Sequence, residues 1–249
     1  RAVAAEPLPW VGSLAVVVVL LALRRRARAQ IESEAAITRQ VRRDTYRATA
    51  RALGWTLIAA LPGPTAVYLL GVLLQGVGNP GRFSDSLGQA LVMLVIPLLA
   101  VQVLRWTAIE RGLGHAHFRW MRARREALRQ ILPRAAGIVL PAYFVSALAF
   151  IRNLELPNDV QARIAVVIAC LALAWTAWRA LAAGRIWVVR GVEVEPSSVR
   201  RAFRITLPLA PLFVAFLVLN GYVYSATLLL QALLATFSMI VLVTLLVGL

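Results

Sequence analysis

The residues best suited to chemistry lie in one short segment, His115-Ala116-His117-Phe118-Arg119-Trp120. Two histidines can bind a transition metal, but residues at i and i+2 of a helix point to different faces, and the sequence has no third histidine. The single cysteine, Cys170, belongs to a different segment. The sequence also contains no phosphate-binding glycine loop and no G-x-S-x-G motif. We therefore expect no metal site, no cofactor and no enzyme activity.

An arginine-rich stretch begins within this segment. Apolar residues of 118–132 fall on one helical face, and arginines surround that face. Such a helix can lie on the inner leaflet and bind anionic lipid headgroups, whereas the alternative is a solvated helical connection. Arg125 falls near the apolar face, so the pattern is imperfect. The predicted headgroup contacts are the basic and aromatic residues Arg119, Trp120, Arg122, Arg124 and Arg125.

Composition indicates which elements must position these residues. The 249-residue chain carries 27 basic and 11 acidic residues, a net charge of +16, and every basic residue is arginine. Hydrophobic residues make up 60% and charged residues 15%, against roughly 45–50% and about 25% in soluble domains. A soluble nucleic-acid-binding module and a disordered chain are both excluded by this hydrophobicity. We expect an all-α integral membrane protein.

Apolar stretches of membrane-spanning length recur along the chain. A transmembrane helix needs about 20 such residues, and the stretches predict about seven spans, near 7–23, 52–77, 86–104, 135–151, 164–178, 205–220 and 227–249. The last apolar stretch, 205–249, is too long for one span. Asn220-Gly221 is a typical turn pair and predicts the break, with Tyr222 and Tyr224 at the membrane interface.

The arginines cluster in alternate connections. Segments 24–51, 105–134 and 179–204 carry 23 of the 27. Because basic loops stay on the cytoplasmic side, this alternation predicts a periplasmic N-terminus and a cytoplasmic C-terminus. Acidic residues are missing from the middle of the spans, which disfavours the main alternative, a multi-span transporter or permease subunit. A purely structural membrane domain is a third possibility.

Prolines within the spans are candidate hinges. Pro62, Pro64, Pro97 and Pro141 each remove a backbone donor and can kink a helix. The alternative is ordinary membrane-helix proline, which neighbouring groups tolerate.

The local sequence resembles the inner-membrane region of the large MscS-like mechanosensitive channels, the MscK and MscM type. Four stretches carry the likeness: 41–53 with Leu61-Pro62-Gly63-Pro64, 112–120 with Leu128-Arg129, Leu140-Pro141, and 220–226 with 233–236. The resemblance implies a bacterial inner-membrane channel that opens under bilayer tension and protects against osmotic downshock. It also implies a homoheptamer, with membrane lipids and no nucleic acid as partners.

In that family the spans form a peripheral array that precedes the pore. The pore module and the periplasmic domain are not within residues 1–249, so the resemblance identifies no pore-lining residue here. Leu249 lies in an apolar run without a basic flank. We therefore expect the polypeptide to continue beyond it.

Overall fold

The computed structural model describes residues 7–38, 46–76, 83–109, 122–152, 160–182 and 198–247. Within these ranges the chain is α-helical and has no β-strand, which confirms the expected fold class. The helices of these ranges are α1 (Pro7–Thr38), α2 (Tyr46–Ala60), α3 (Pro62–Gly76), α4 (Phe83–Thr107), α5 (Arg122–Arg152), α6 (Val160–Ala182), α7 (Ser198–Leu219) and α8 (Val223–Val247).

Most of these helices match the predicted spans. Five helices of the described ranges, α1, α4, α5, α6 and α8, are long and apolar enough to cross a membrane. The bent pair α2 and α3 makes a sixth if it is one span. The apolar part of α7, Ile205–Leu219, is shorter than a full span. The count of seven and the orientation of the termini therefore remain predictions.

Two helices extend well beyond the apolar stretches that predicted them. α1 continues through its arginines to Thr38, although the predicted span ends near residue 23. α5 begins at Arg122, so the arginine-rich segment and the following span form one helix of 31 residues. Arginine, glutamine and glutamate are good helix formers, and a polar stretch can therefore continue a helix beyond the apolar core.

The chain divides into two compact units. The first contains Arg1–Arg119 together with Phe237–Leu249, and the second contains Trp120–Thr236. The core of the first unit joins α1, α2, α4 and the end of α8. Its buried residues are Ala27, Ile31, Ala59, Ala60, Val103, Trp106 and Val241. Three of these seven residues are alanines, whose small side chains let helices approach closely.

In the second unit α5 packs against α6, and α6 packs against α7. The rings of Phe150 on α5 and Tyr224 on α8 lie 5.4 Å apart between centroids. α8 presents one narrow buried face, formed by residues spaced three to four apart: Val223, Ala226, Thr227, Leu230 and Leu234. The rest of its surface in this unit is largely exposed and apolar.

The predicted turn between the last two helices is confirmed at Asn220-Gly221. Gly221 has a φ of +91°, a left-handed conformation that glycine adopts without a Cβ penalty. The backbone N–H of Tyr222 donates to the carbonyl of Leu217, and the N–H of Gly221 donates to that of Val218. This is the Schellman pattern that closes the C-terminus of a helix.

Candidate functional site

The predicted headgroup contacts map to the start of α5 and the residues before it. Arg119 and Trp120 lie outside the described residues, as do His115 and His117. Arg124 belongs to the first turn of α5. Arg122 is largely exposed, and its Nε donates to Glu126 Oε1 at 2.6 Å in an i,i+4 pair. The Arg122 side chain is 87% exposed, so its guanidinium is accessible from outside the protein. Exposed pairs of this kind add little stability.

Arg125 behaves differently from its neighbour. Only 9% of this residue is exposed, and its Nε is buried without a hydrogen-bond partner. It lies on the face of α5 that also carries the buried residues Leu132, Val139 and Tyr143. The fold therefore buries Arg125, the arginine that interrupts the amphipathic pattern in the sequence.

Arginine and tryptophan side chains meet at two places in the described ranges. The Cζ of Arg24 on α1 lies 5.0 Å from the ring centroid of Trp106 on α4. The Cζ of Arg179 lies 5.3 Å from the Trp175 ring within α6. Both distances suit a cation–π interaction. Trp106 is buried in the core of the first unit, whereas Trp175 is 41% exposed. The first pair therefore links α1 to α4 in the core of the first unit, whereas the second lies within one helix at an exposed surface.

The predicted hinges fall into two groups. At Leu61 the chain bends by 46° between α2 and α3, directly before Pro62 and Pro64, both of which are buried. Neither proline has an N–H, so two carbonyls of the preceding turn lose their helical donors. Pro97 and Pro141 instead lie inside helices that continue past them. The geometry thus singles out Pro62 and Pro64, while hinge motion itself remains a prediction.

A close crossing of α3 and α4 was not predicted. A Cβ placed on Gly88 would lie 2.4 Å from the carbonyl oxygen of Gly71, and one on Gly71 would lie 2.9 Å from that of Gly88. Near the other end of the pair, a Cβ on Gly63 would lie 3.6 Å from Gln102 Nε2. These contacts make the two helices antiparallel. Small residues within an apolar stretch are the sequence signal for such a crossing, but that signal does not identify the partner.

Hydroxyl groups within the spans bond mainly to their own helices. Thr56, Thr107 and Thr227 are buried, and each donates to the carbonyl four residues earlier at 2.7–2.9 Å. Ser146 donates to the carbonyl of Tyr143 at 2.8 Å. These groups are satisfied locally and do not converge on a substrate. Among the described residues, no group of three or more His, Cys, Asp or Glu side chains could hold a metal ion.

Comparison with known proteins places these features in a family. The family model of the mechanosensitive ion channel inner membrane domain 1 matches residues 7–249, nearly the whole chain. No curated protein and no solved structure matches. The matched family consists of ion-channel domains and not of enzymes. The all-helical fold, the helices of membrane-spanning length and this match lead to one conclusion: the chain belongs to the mechanosensitive ion channel inner membrane domain 1 family.

Proposed function

We propose that this chain is the peripheral, tension-sensing helix array of a mechanosensitive channel of the MscK/MscM type. The channel opens under bilayer tension and releases solutes during osmotic downshock. The observation that carries the proposal is the family match over residues 7–249. The four stretches of local resemblance support the narrower assignment to the MscK/MscM type.

The exposed apolar surface supports a lipid-coupled mechanism. No residue in 8–26 of α1 is buried, and its most exposed apolar side chains include Leu8, Val11 and Leu14. Apolar faces of this extent suit contact with lipid acyl chains. Tension favours the channel conformation that occupies more membrane area. A perturbation shifts the balance between two conformations only when it acts on them differently.

The arginine-rich connections supply the coupling to the membrane surface. Their 23 arginines lie in three alternate segments, which we assign to the cytoplasmic side by the positive-inside rule. Anionic headgroups attract basic residues there. Helices held by these contacts and by interfacial aromatic residues move with the bilayer when it stretches. The bend at Pro62 and Pro64 is the position at which we expect the array to change shape.

The assembly and location follow from the same proposal. The chain is part of a homoheptamer in the bacterial inner membrane, with its helices around a pore built by another part of the polypeptide. Membrane lipids and further copies of the chain are its partners. Membrane patches from cells expressing the full-length protein should show suction-evoked currents, and those cells should survive downshock better than cells with an empty vector. Patches with no suction-evoked current would overturn the proposed function.

A further inference from the structure

We propose that the start of α5 is a phosphate-binding site in which Arg125 is the buried ligand. The site binds a phosphate ester carried by a membrane lipid headgroup. This inference rests on the proposed placement of α5 at the inner leaflet, but not on any response of the channel to tension. It can therefore fail while the proposed function stands.

The first step is the burial of a permanent charge. A guanidinium stays protonated in proteins and presents five N–H donors, and burying it without partners is costly. Arg125 is 9% exposed, and its Nε has no hydrogen-bond partner. It forms no ion pair with any described residue. The fold thus holds a donor ready for an acceptor that the described part of the protein does not supply.

The second step concerns the surrounding charge. Residues 122–129 contain four arginines and a single acidic residue, Glu126. The Glu126 carboxylate already accepts a hydrogen bond from Arg122 Nε at 2.6 Å. Glu126 is the only acidic residue within the described ranges of the second unit. Within residues 122–129, arginines therefore outnumber carboxylates four to one.

The third step is the polarity of the helix. α5 begins at Arg122, and the first N–H groups of a helix lack intrahelical partners and carry a partial positive charge. Arginine is an unfavourable residue at such a terminus unless an anion is present. A phosphate at this terminus accepts from the first N–H groups, complements the helix dipole and neutralises the Arg125 guanidinium.

Binding should be measured with the full-length protein in dodecyl maltoside, a surfactant without charge or phosphate. Phosphatidylglycerol is titrated in and the bound lipid is counted by native mass spectrometry. Arg125→Gln should weaken phosphatidylglycerol binding by about tenfold, as expected for one lost charge-assisted contact. Arg152→Gln is the matched control, because it removes the same charge from an exposed position at the other end of α5, and should change binding by less than about twofold. Equal binding by wild type and Arg125→Gln, or equal losses in both variants, would overturn the site.

Inorganic phosphate in lipid-free micelles distinguishes the two sources of the anion. If phosphatidylglycerol binds through Arg125 and inorganic phosphate does not, the lipid is the ligand. If inorganic phosphate binds through Arg125 as tightly as the lipid does, the phosphate chemistry stands and the lipid source is overturned.

A thermal measurement separates this site from an internal ion pair. In lipid-free micelles Arg125→Met should melt at or above the wild-type temperature, because it removes the buried unpaired charge and keeps an apolar side chain of similar length. A clear drop would overturn the proposal, since it would mean that a carboxylate of the protein already neutralises Arg125. Glu193→Gln/Glu195→Gln tests the carboxylates of connection 179–204, and it should leave phosphatidylglycerol binding and the effect of Arg125→Gln unchanged. Arg125→Lys keeps the charge without the planar fork and should retain part of the binding.

Discussion

Replacing Gly88 by alanine should open the crossing of α3 and α4. The added Cβ would lie 2.4 Å from the Gly71 carbonyl oxygen and 2.8 Å from Gln75 Cγ. The side chain of Gln75 can rotate away, but the carbonyl belongs to the backbone. The helices must therefore separate by about 1 Å to reach the 3.4 Å at which ordinary contact begins.

The magnitude follows from two opposing terms. Overpacking of this kind costs about 1–3 kcal/mol, whereas alanine gains up to about 1 kcal/mol over glycine in helix propensity. Gly54→Ala on α2 is the matched control, because a Cβ at Gly54 has no neighbour within 4 Å. Both variants share the propensity gain, so the difference in their free energies of unfolding isolates the clash. We expect Gly88→Ala to be less stable than Gly54→Ala by about 1–3 kcal/mol.

The assay is reversible unfolding of the full-length protein by sodium dodecyl sulfate in mixed micelles. Gly71→Ala meets the same crossing at 2.9 Å from the Gly88 carbonyl and should also destabilise. The double variant Gly71→Ala/Gly88→Ala should lose less than the two single variants together, because the first substitution already separates the helices. Identical stabilities for Gly88→Ala and Gly54→Ala would refute the close crossing.

Three further predictions concern the core, the bend and the topology. Trp106→Ala should cost about 3–5 kcal/mol in the same unfolding assay and Trp175→Ala about 1 kcal/mol or less, because only the first ring is buried; equal losses would contradict the assigned core. Pro62→Ala/Pro64→Ala restores two backbone donors and should reduce the 46° bend; an unchanged distance between spin labels on α2 and α3 would contradict the role of the prolines. A cysteine at Arg82 should react with impermeant reagents only from the periplasmic side; labelling only from the cytoplasm would reverse the predicted orientation.

The sequence identified the features that depend on local chemistry. The turn at Asn220-Gly221 follows from a glycine that readily adopts positive φ, and the structure places it at that position. The bend before Pro62 follows from the missing N–H groups of two nearby prolines. Pro97 and Pro141 carry the same signal, yet their helices continue, because a proline inside a helix can be tolerated by its surroundings.

Features that depend on how two helices meet were not predictable from one sequence. Gly71 and Gly88 are two of 15 glycines, and only the register between α3 and α4 brings them together. The pairing of Arg24 with Trp106 likewise requires the packing of α1 against α4. Apolar runs indicated where membrane helices lie, but they could not show that α1 and α5 continue through polar residues.

The arginine-rich segment shows both what the sequence predicts and what it misses. Its residues were predicted as headgroup contacts from charge and helical spacing alone. The structure separates Arg122, which is exposed and paired with Glu126, from Arg125, which is buried. In the sequence, Arg125 only interrupts the apolar face of the helix. Hydrophobic periodicity alone does not distinguish such an interruption from a charge that the fold buries.

The tension threshold of the full-length channel tests the account most directly. The variant Arg119→Gln/Arg122→Gln/Arg124→Gln/Arg125→Gln removes the proposed headgroup contacts, and Arg152→Gln at the opposite end of α5 is the control. In patch recordings at defined bilayer tension, the fourfold variant should open at a higher threshold than wild type, because its helices follow the stretched inner leaflet less closely. The control should open at the wild-type threshold. A fourfold variant with an unchanged threshold would contradict lipid-coupled sensing by this helix array.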